Sequence, residues 1–296
     1  MRNFEVSTDS TCDLYADEIK NLGIYFVPLT FTLTKGNSLE ECLDQFKSPE
    51  EYLEYYAKLR SGIVSKTSML NYASHLEHFT NMAKQGVKNA IHFTISYGLS
   101  PTVDVANKAL EEVKQTYPDF NCMCVECNTT TIGQGLLVRI ATDMRDKGKT
   151  LQETYDYVNA NKSKIQHFIV ADSLMYLMRG GRVSGAKAVF GTLLNIKPII
   201  IFTKNGKLEN FAKGKGSKGA LKSIVEQASN YTVNKDYPTV WVGHTDNLPM
   251  AQMLASELHE KYNYETNIRM IGPVIGSHLG PGAFAYCFLS NEERPI

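Results

Sequence analysis

The chain has 296 residues, equal numbers of basic and acidic side chains (31 each) and an apolar fraction of 43%. It is long enough for two ordinary domains and is neither a charged disordered chain nor a basic nucleic-acid-binding tail. No run of about 18 apolar residues is present to span a membrane, and the opening MRNFEVSTDST lacks the apolar core of a secretory signal, so a cytoplasmic location is expected.

In chain order, FEVSTDS reads as a strand and turn, DLYADEIKNLG as a helix closed by Gly23, and IYFVPLTFTL as extended chain. Ser48 and Glu51 form a capping box around Pro49 that opens the helix EEYLEYYAKLR. NYASHLEHFTNMAKQG is a helix, VKNAIHFTIS a strand, and Ser100-Pro101 opens the helix TVDVANKALEEVKQ. The strand NCMCVEC, the helix IGQGLLVRIATDMRDKG and a Thr150/Glu153 capping box before LQETYDYVNANKSK complete the first half. This alternation predicts a mostly parallel sheet flanked by helices.

The second half changes character. QHFIVAD is a strand, SLMYLMRGG a short helix, and IKPIIIFTKNGKLENFA a hairpin turned by Asn205-Gly206. SKGALKSIVEQAS is a helix, TVWVGHT a strand, NLPMAQMLASELHEKY a helix, and NIRMIGPVI and AFAYCFLS are the last strands. The expected fold is α/β in two domains: residues 1–163 with the mostly parallel sheet and residues 164–296 with a mixed sheet containing the antiparallel hairpin.

Six cysteines are too few for a disulfide scaffold in a chain of this size. CMCVEC at 122–127 contains a C-x-x-C, but on a strand Cys122 and Cys124 share one face and Cys127 takes the other, and no second ligand pair completes a zinc site. No metal or cofactor is therefore expected. GKGSKG at 214–219 fits G-x-G-x-x-G, yet it follows the second arm of a hairpin and TVWVGHT ends in His244 where a ribose-binding acid belongs, so a dinucleotide site is disfavoured. Ser96 or Ser184 could pair with His278 or His244 in a Ser/His hydrolase of a lipid or ester, although no G-x-S-x-G elbow surrounds any serine.

Capture of an anionic head group is the reading we prefer. Thr67 and Ser68 are expected to precede a helix, where hydroxyls and free N–H groups meet an anion. Ser96 ends a strand in the same kind of loop, at the carboxyl edge of a parallel sheet. The charge is unevenly spread: from Arg179 to Lys222 there are ten basic residues and one acidic, Glu209. Without interleaved aromatics or a nucleic-acid module this block does not point to nucleic acid. Arg182, Lys213, Lys215 and Lys218 are instead candidates for docking an acidic partner, and a solvated lysine face is the alternative.

HLGPGA at 278–283 sets a histidine beside a proline flanked by two glycines, a backbone fixed at one point and open on both sides. Together with STDSTCDL at 7–14, Thr67-Ser68, SYGLSPT at 96–102, GQGLLV, RGGRVSG at 179–185 and LNIKPII, it makes essentially the whole chain resemble the DegV family of fatty-acid-binding proteins. The resemblance implies two α/β domains with a lipid tunnel between them. It implies that Thr67, Ser68 and Ser96 bind the carboxylate of a long-chain fatty acid, supported by His278 and Arg179. It further implies a carrier without turnover of its own, presenting the acid to an ATP-dependent fatty acid kinase subunit that feeds phospholipid synthesis. The chain departs from the family pattern at Met69-Leu70, at Tyr97 and at Pro101. Either Tyr97 replaces a second serine through its phenol, or Ser96 does that work. Burying an acyl chain of about 16 carbons would contribute on the order of 10 kcal/mol, while its carboxylate needs a full set of donors.

Overall fold

The structure, a computed structural model, describes residues 2–182 and 195–294. The chain opens with β1 (Glu5–Asp9), a single 3-10 turn at Ser10–Cys12, α1 (Ala16–Leu22) and β2 (Tyr25–Val27). Extended chain does not run on from there as the sequence suggests. Pro28 offers no N–H to continue the pairing, and β3 (Thr30–Lys35) turns into β4 (Ser38–Leu43). After α2 (Pro49–Arg60), opened by the expected capping box, β5 (Val64–Ser68) pairs antiparallel with β3. A three-stranded antiparallel sheet, β4-β3-β5, thus interrupts the alternating half.

Next come α3 (Tyr72–Lys84), β6 (Asn89–Thr94), α4 (Thr102–Thr116), β7 (Asn121–Glu126), α5 (Ile132–Asp146) and α6 (Leu151–Asn161). The expected parallel sheet forms with order β2-β1-β6-β7, so the chain reverses its direction of winding between β1 and β6. Open α/β sheets bind ligands at the carboxyl side of such a reversal.

The remaining elements are β8 (Ile165–Val170), α7 (Met175–Gly180), β9 (Ile196–Phe202), β10 (Leu208–Lys215), α8 (Gly216–Gln227), β11 (Val240–His244), α9 (Leu248–Tyr262), β12 (Thr266–Met270), α10 (Pro273–Leu279) and β13 (Phe284–Leu289). Six strands form a mixed sheet in the order β10-β9-β8-β13-β11-β12, including the predicted β9–β10 hairpin. Here too one expectation changes. NIRMIGPVI does not stay extended: β12 stops at Met270, and Pro273 begins α10 because a proline at the first helical position loses nothing by lacking an N–H. His278 therefore stands in the last turn of a helix, before the Gly280-Pro281-Gly282 loop.

All strands of the parallel sheet lie before residue 127 and all strands of the mixed sheet after residue 164. Between the two sheets runs α5, packed on β1 and β6 from one and on β11 and β13 from the other. Twelve of its fifteen residues are buried. The GQG of its first turn is a close-approach motif, since a Cβ at Gly135 would stand 2.6 Å from the Cys12 carbonyl and 2.9 Å from the Trp241 ring. Leu136, Leu137, Ile140 and Ala141 of this helix join Val6, Phe93, Ile169 and Ala285 in one apolar core. A separate core forms where α8 and α9 cover the far face of the mixed sheet, and α3 and α4 cover the outer face of the parallel sheet.

Candidate ligand-binding site

A cavity of about 720 Å³, mouth included, opens where the three sheets converge. Its walls are mainly apolar: Leu29, Ile95, Leu99, Ile169, Leu177, Phe202, Leu208, Val274, Ile275 and Leu279. Thr11 follows β1 and Ile95 follows β6, so the cavity lies at the carboxyl side of the topological reversal. The polar part of the wall comes from Thr67 and Ser68 at the end of β5, Ser100 and Thr102 at the start of α4, Thr130 and Thr131 before α5, and Arg182 and His278.

Of the predicted residues, Thr67, Ser68 and His278 come together on this wall. The Thr67 Oγ1 and His278 Nε2 atoms are 2.9 Å apart. The expectation that Thr67 and Ser68 precede a helix is corrected: they belong to β5, and α3 begins at Tyr72 with its own cap, the Asn71 side chain accepting from Ser74 N. The polar groups are thus offered by a strand end rather than by helical N–H groups.

Ser96 is not part of the wall. It is fully buried, and its Oγ donates to the Gly206 carbonyl at 2.7 Å, joining the β6 loop to the turn of the β9–β10 hairpin. Tyr97 is exposed and reaches Glu126 through its backbone N–H, so its phenol does not replace a serine in the cavity. Arg179 is also away from the wall, with its guanidinium 5.5 Å above the Tyr176 ring. The arginine at the cavity is Arg182, three residues later, where the chain has left α7 and its side chain is exposed. Ser184, Lys187 and the rest of the RVSG segment after Arg182 lie outside the described residues.

His278 is set by packing. Its ring lies against Gly180 at the end of α7, where any Cβ would collide with Nδ1. Burial holds its pKa down to about 4, and the nearby Arg182 charge adds to the effect. The imidazole is therefore neutral at neutral pH, and its Nδ1 is buried without a hydrogen-bond partner among the described residues. The helix beneath it is held from α2 and β5: Tyr55 Oη donates to Pro273 O at 2.9 Å, Tyr56 Oη to Ile271 O at 2.7 Å, and Ser65 of β5 and Ser277 meet at 2.6 Å.

Of the polar residues on the wall that the sequence reading missed, two stand out. Thr131 lines the cavity with φ at 49°, a conformation costly for a β-branched residue, and its Oγ1 has no hydrogen-bond partner among the described residues. A threonine run at 129–131 before a helix looks like ordinary capping, which hid it. Thr102 was read only as the start of a helix; its hydroxyl lies 3.2 Å from His75 Nε2.

The other sequence motifs resolve structurally. All six cysteines are free, and burial pushes the Cys122 and Cys127 thiols up, away from the reactive thiolate form. Among the described residues no group of three or more His, Cys, Asp or Glu side chains could hold a metal ion, and no helix is long and apolar enough to cross a membrane. Gly214 is the next-to-last residue of β10 and Gly216 starts α8, and the lysines between and after them are exposed. Lys213, Lys215 and Lys218 form no ion pair among the described residues, whereas Lys197 pairs with Asp172 and Lys204 with Glu293.

The family model described as an uncharacterised protein of the DegV family matches residues 3–291. A DegV domain-containing protein of Clostridium perfringens is 36% identical over 296 residues, all of both chains. One from Streptococcus pyogenes serotype M3 is 32% identical over 98% of this chain and 99% of its own. Among solved structures, a DegV lipid binding protein of Thermotoga maritima superposes with a TM-score of 0.85 at 24% identity, covering 99% of this chain and 100% of its own. A fatty acid binding DegV family protein of Streptococcus agalactiae gives 0.81 at 25% identity, covering 99% and 100%. With matches of this length and identity, the chain belongs to the DegV family.

Proposed function

We propose that this protein binds one long-chain fatty acid in the cavity between its sheets and presents the carboxylate at the Thr67–His278 end. The observation that carries this reading is an apolar cavity whose polar residues include a hydroxyl–imidazole pair and a cation, Arg182. Solved relatives of the same fold are described as fatty acid binding, which supports the same ligand class. The chemistry follows from the protonation state. A neutral imidazole carrying its proton on Nε2 donates to Thr67 Oγ1, which frees the threonine O–H to donate to a carboxylate. Ser68 adds a second hydroxyl, and Arg182 supplies the countercharge at the mouth. The apolar walls receive the acyl chain. In this reading the protein is a carrier, and an ATP-using fatty acid kinase subunit activates the exposed carboxylate for phospholipid synthesis.

Titration of a long-chain fatty acid into delipidated protein tests the site. Thr67→Val is expected to weaken binding by about 1–3 kcal/mol, the cost of leaving a charged group short of a donor, while Ser96→Ala leaves affinity near wild type because Ser96 is committed to Gly206. Unchanged affinity in Thr67→Val would remove the strand end from the site. The hydrolase reading gains nothing from the geometry. Ser96 bonds a carbonyl, His278 bonds Thr67, and His244 Nδ1 accepts from Asn247 N. Ser7 does meet His78 and His92 at 2.7 and 2.8 Å, but it is fully buried inside β1.

A further inference from the structure

The Thr67–His278 pair joins two elements that backbone pairing does not tie together. β5 is an edge strand, paired among the described residues with β3 and with no other strand. α10 has seven residues, and its N-cap, Gly272, has no side chain. Side-chain contacts span the gap as two adjacent rungs. Ser65 and Thr67 project from the same face of β5, and Ser277 and His278 are consecutive on α10. Ser65 Oγ meets Ser277 Oγ at 2.6 Å, and Thr67 Oγ1 meets His278 Nε2 at 2.9 Å.

The first rung belongs to a buried chain of hydroxyls. Ser65, Ser277 and Tyr55 are 9%, 6% and 2% exposed, and none of them lines the cavity. Each hydroxyl has a single proton to give. Tyr55 Oη donates to Pro273 O, and Ser277 Oγ lies 2.7 Å from the same carbonyl and 2.8 Å from Tyr55 Oη. With the Ser277 proton directed there, Ser65 is the donor at the rung and Ser277 Oγ its acceptor. The chain thus joins α2, β5 and α10 and leaves none of its three hydroxyls without a partner. We propose that Ser65 and Ser277 are positioning residues for the head-group site, their rung setting how Thr67 stands against the His278 ring and so how that pair is aimed at a carboxylate. The assignment rests on the fatty-acid reading above and adds to it two residues that do not touch the lipid.

Titration of delipidated wild type, Ser277→Ala and Ser65→Ala with palmitic acid and with hexadecanol tests it. Both ligands bury the same alkyl chain, but only the acid brings a charge that needs its donors in place. Each variant is expected to lose about three- to tenfold in affinity for the acid and less than about twofold for the alcohol. Ser65→Thr keeps the hydroxyl on a strand, where β-branched residues fit, and is expected to restore acid affinity. If Ser277→Ala fails to fold, Ser65→Ala and Tyr55→Phe carry the test, with the same split between the two ligands expected. Equal loss for acid and alcohol, or wild-type acid affinity in every folded variant, overturns the proposal and leaves fatty-acid binding in place. A wild-type protein that takes up neither ligand overturns the fatty-acid reading and this proposal together.

Discussion

Gly180 shows how one missing methyl group sets the head-group end of the cavity. It has no need of glycine's backbone freedom, because its φ is not positive; what it provides is space for the His278 ring. Gly180→Ala is expected to fold but to push the imidazole off Thr67, and a fatty-acid titration of the folded variant should show affinity reduced as far as in Thr67→Val. Wild-type affinity would mean that the ring position is unimportant. The same burial makes a spectroscopic prediction. In the ligand-free protein the His278 imidazole should remain neutral on acidification until about pH 4, as followed by NMR; titration near 6.5 would contradict the packed geometry. At this scale the sequence was partly legible. Thr67, Ser68 and His278 stood out as donors in unusual contexts. Ser96 looked equally good, because a sequence shows that a hydroxyl is present and not which carbonyl claims it. The sequence reading gave the carboxylate to Arg179 and partner docking to Arg182, whereas Arg182 lines the cavity, because where α7 ends decides which one reaches it.

At the scale of elements, the site depends on α10, a seven-residue helix held in place from outside. Its N-cap, Gly272, has no side chain to cap with, and the Asp13 carboxyl accepts the Gly272 N–H from a distant turn. Tyr55 and Tyr56 fix the same end through carbonyls of Ile271 and Pro273. None of this was legible beforehand. IGPVI carries the β-branched composition of a strand, and only the proline hinted at a helix start. The three-stranded sheet was hidden for a related reason: β4 is SLEECL, whose exposed glutamates give no strand-like alternation. The hairpin β9–β10 was legible because Asn-Gly between apolar runs specifies a turn on its own. Its outer strand, β10, is an edge strand, and Lys213 and Lys215 guard it against further pairing. If this edge also docks the kinase, charge reversal at Lys213, Lys215 and Lys218 should slow coupled fatty-acid phosphorylation at low salt while leaving lipid affinity intact. Equal coupled rates would leave the lysines with the edge-protecting role alone.

Across the whole molecule, the strands of the parallel and mixed sheets divide between residues 126 and 165, and this interval includes our proposed domain division at 163/164. The two sheets are nevertheless joined through one core, with α5 between them. Arg294 is a further tie that composition could not show. Buried to 1% exposure, it donates to the carbonyls of Ile165, Asn128 and Thr203 and so links β8, the loop before α5 and the end of β9. Six histidines, four of them buried and His78 and His278 half-buried, make stability pH-dependent. Burial lowers the pKa of His75, His78, His244 and His278 to about 4 and of His167 to about 3, and depresses His92 as well. The unfolded chain takes up protons at these sites below about 6.5 and the folded chain does not, so their contribution is intact above that pH and lost as pH falls toward 4. Asp9, Asp13 and Asp44 act in the opposite sense, being raised by burial, Asp13 to about 7; their contribution is full at low pH and lost as pH rises. With more histidines than carboxyls involved, the melting temperature should fall between pH 6.5 and 4, and a rise over that interval would contradict the balance.

The account as a whole rests on an acyl chain filling the space between the sheets. Native mass spectrometry of the freshly purified protein, followed by denaturing extraction, addresses this most directly. One long-chain fatty acid per chain, released intact, with occupancy lost in Thr67→Val, is the predicted result. A wild-type protein that carries no lipid and gains no bound mass when offered a long-chain fatty acid would contradict it.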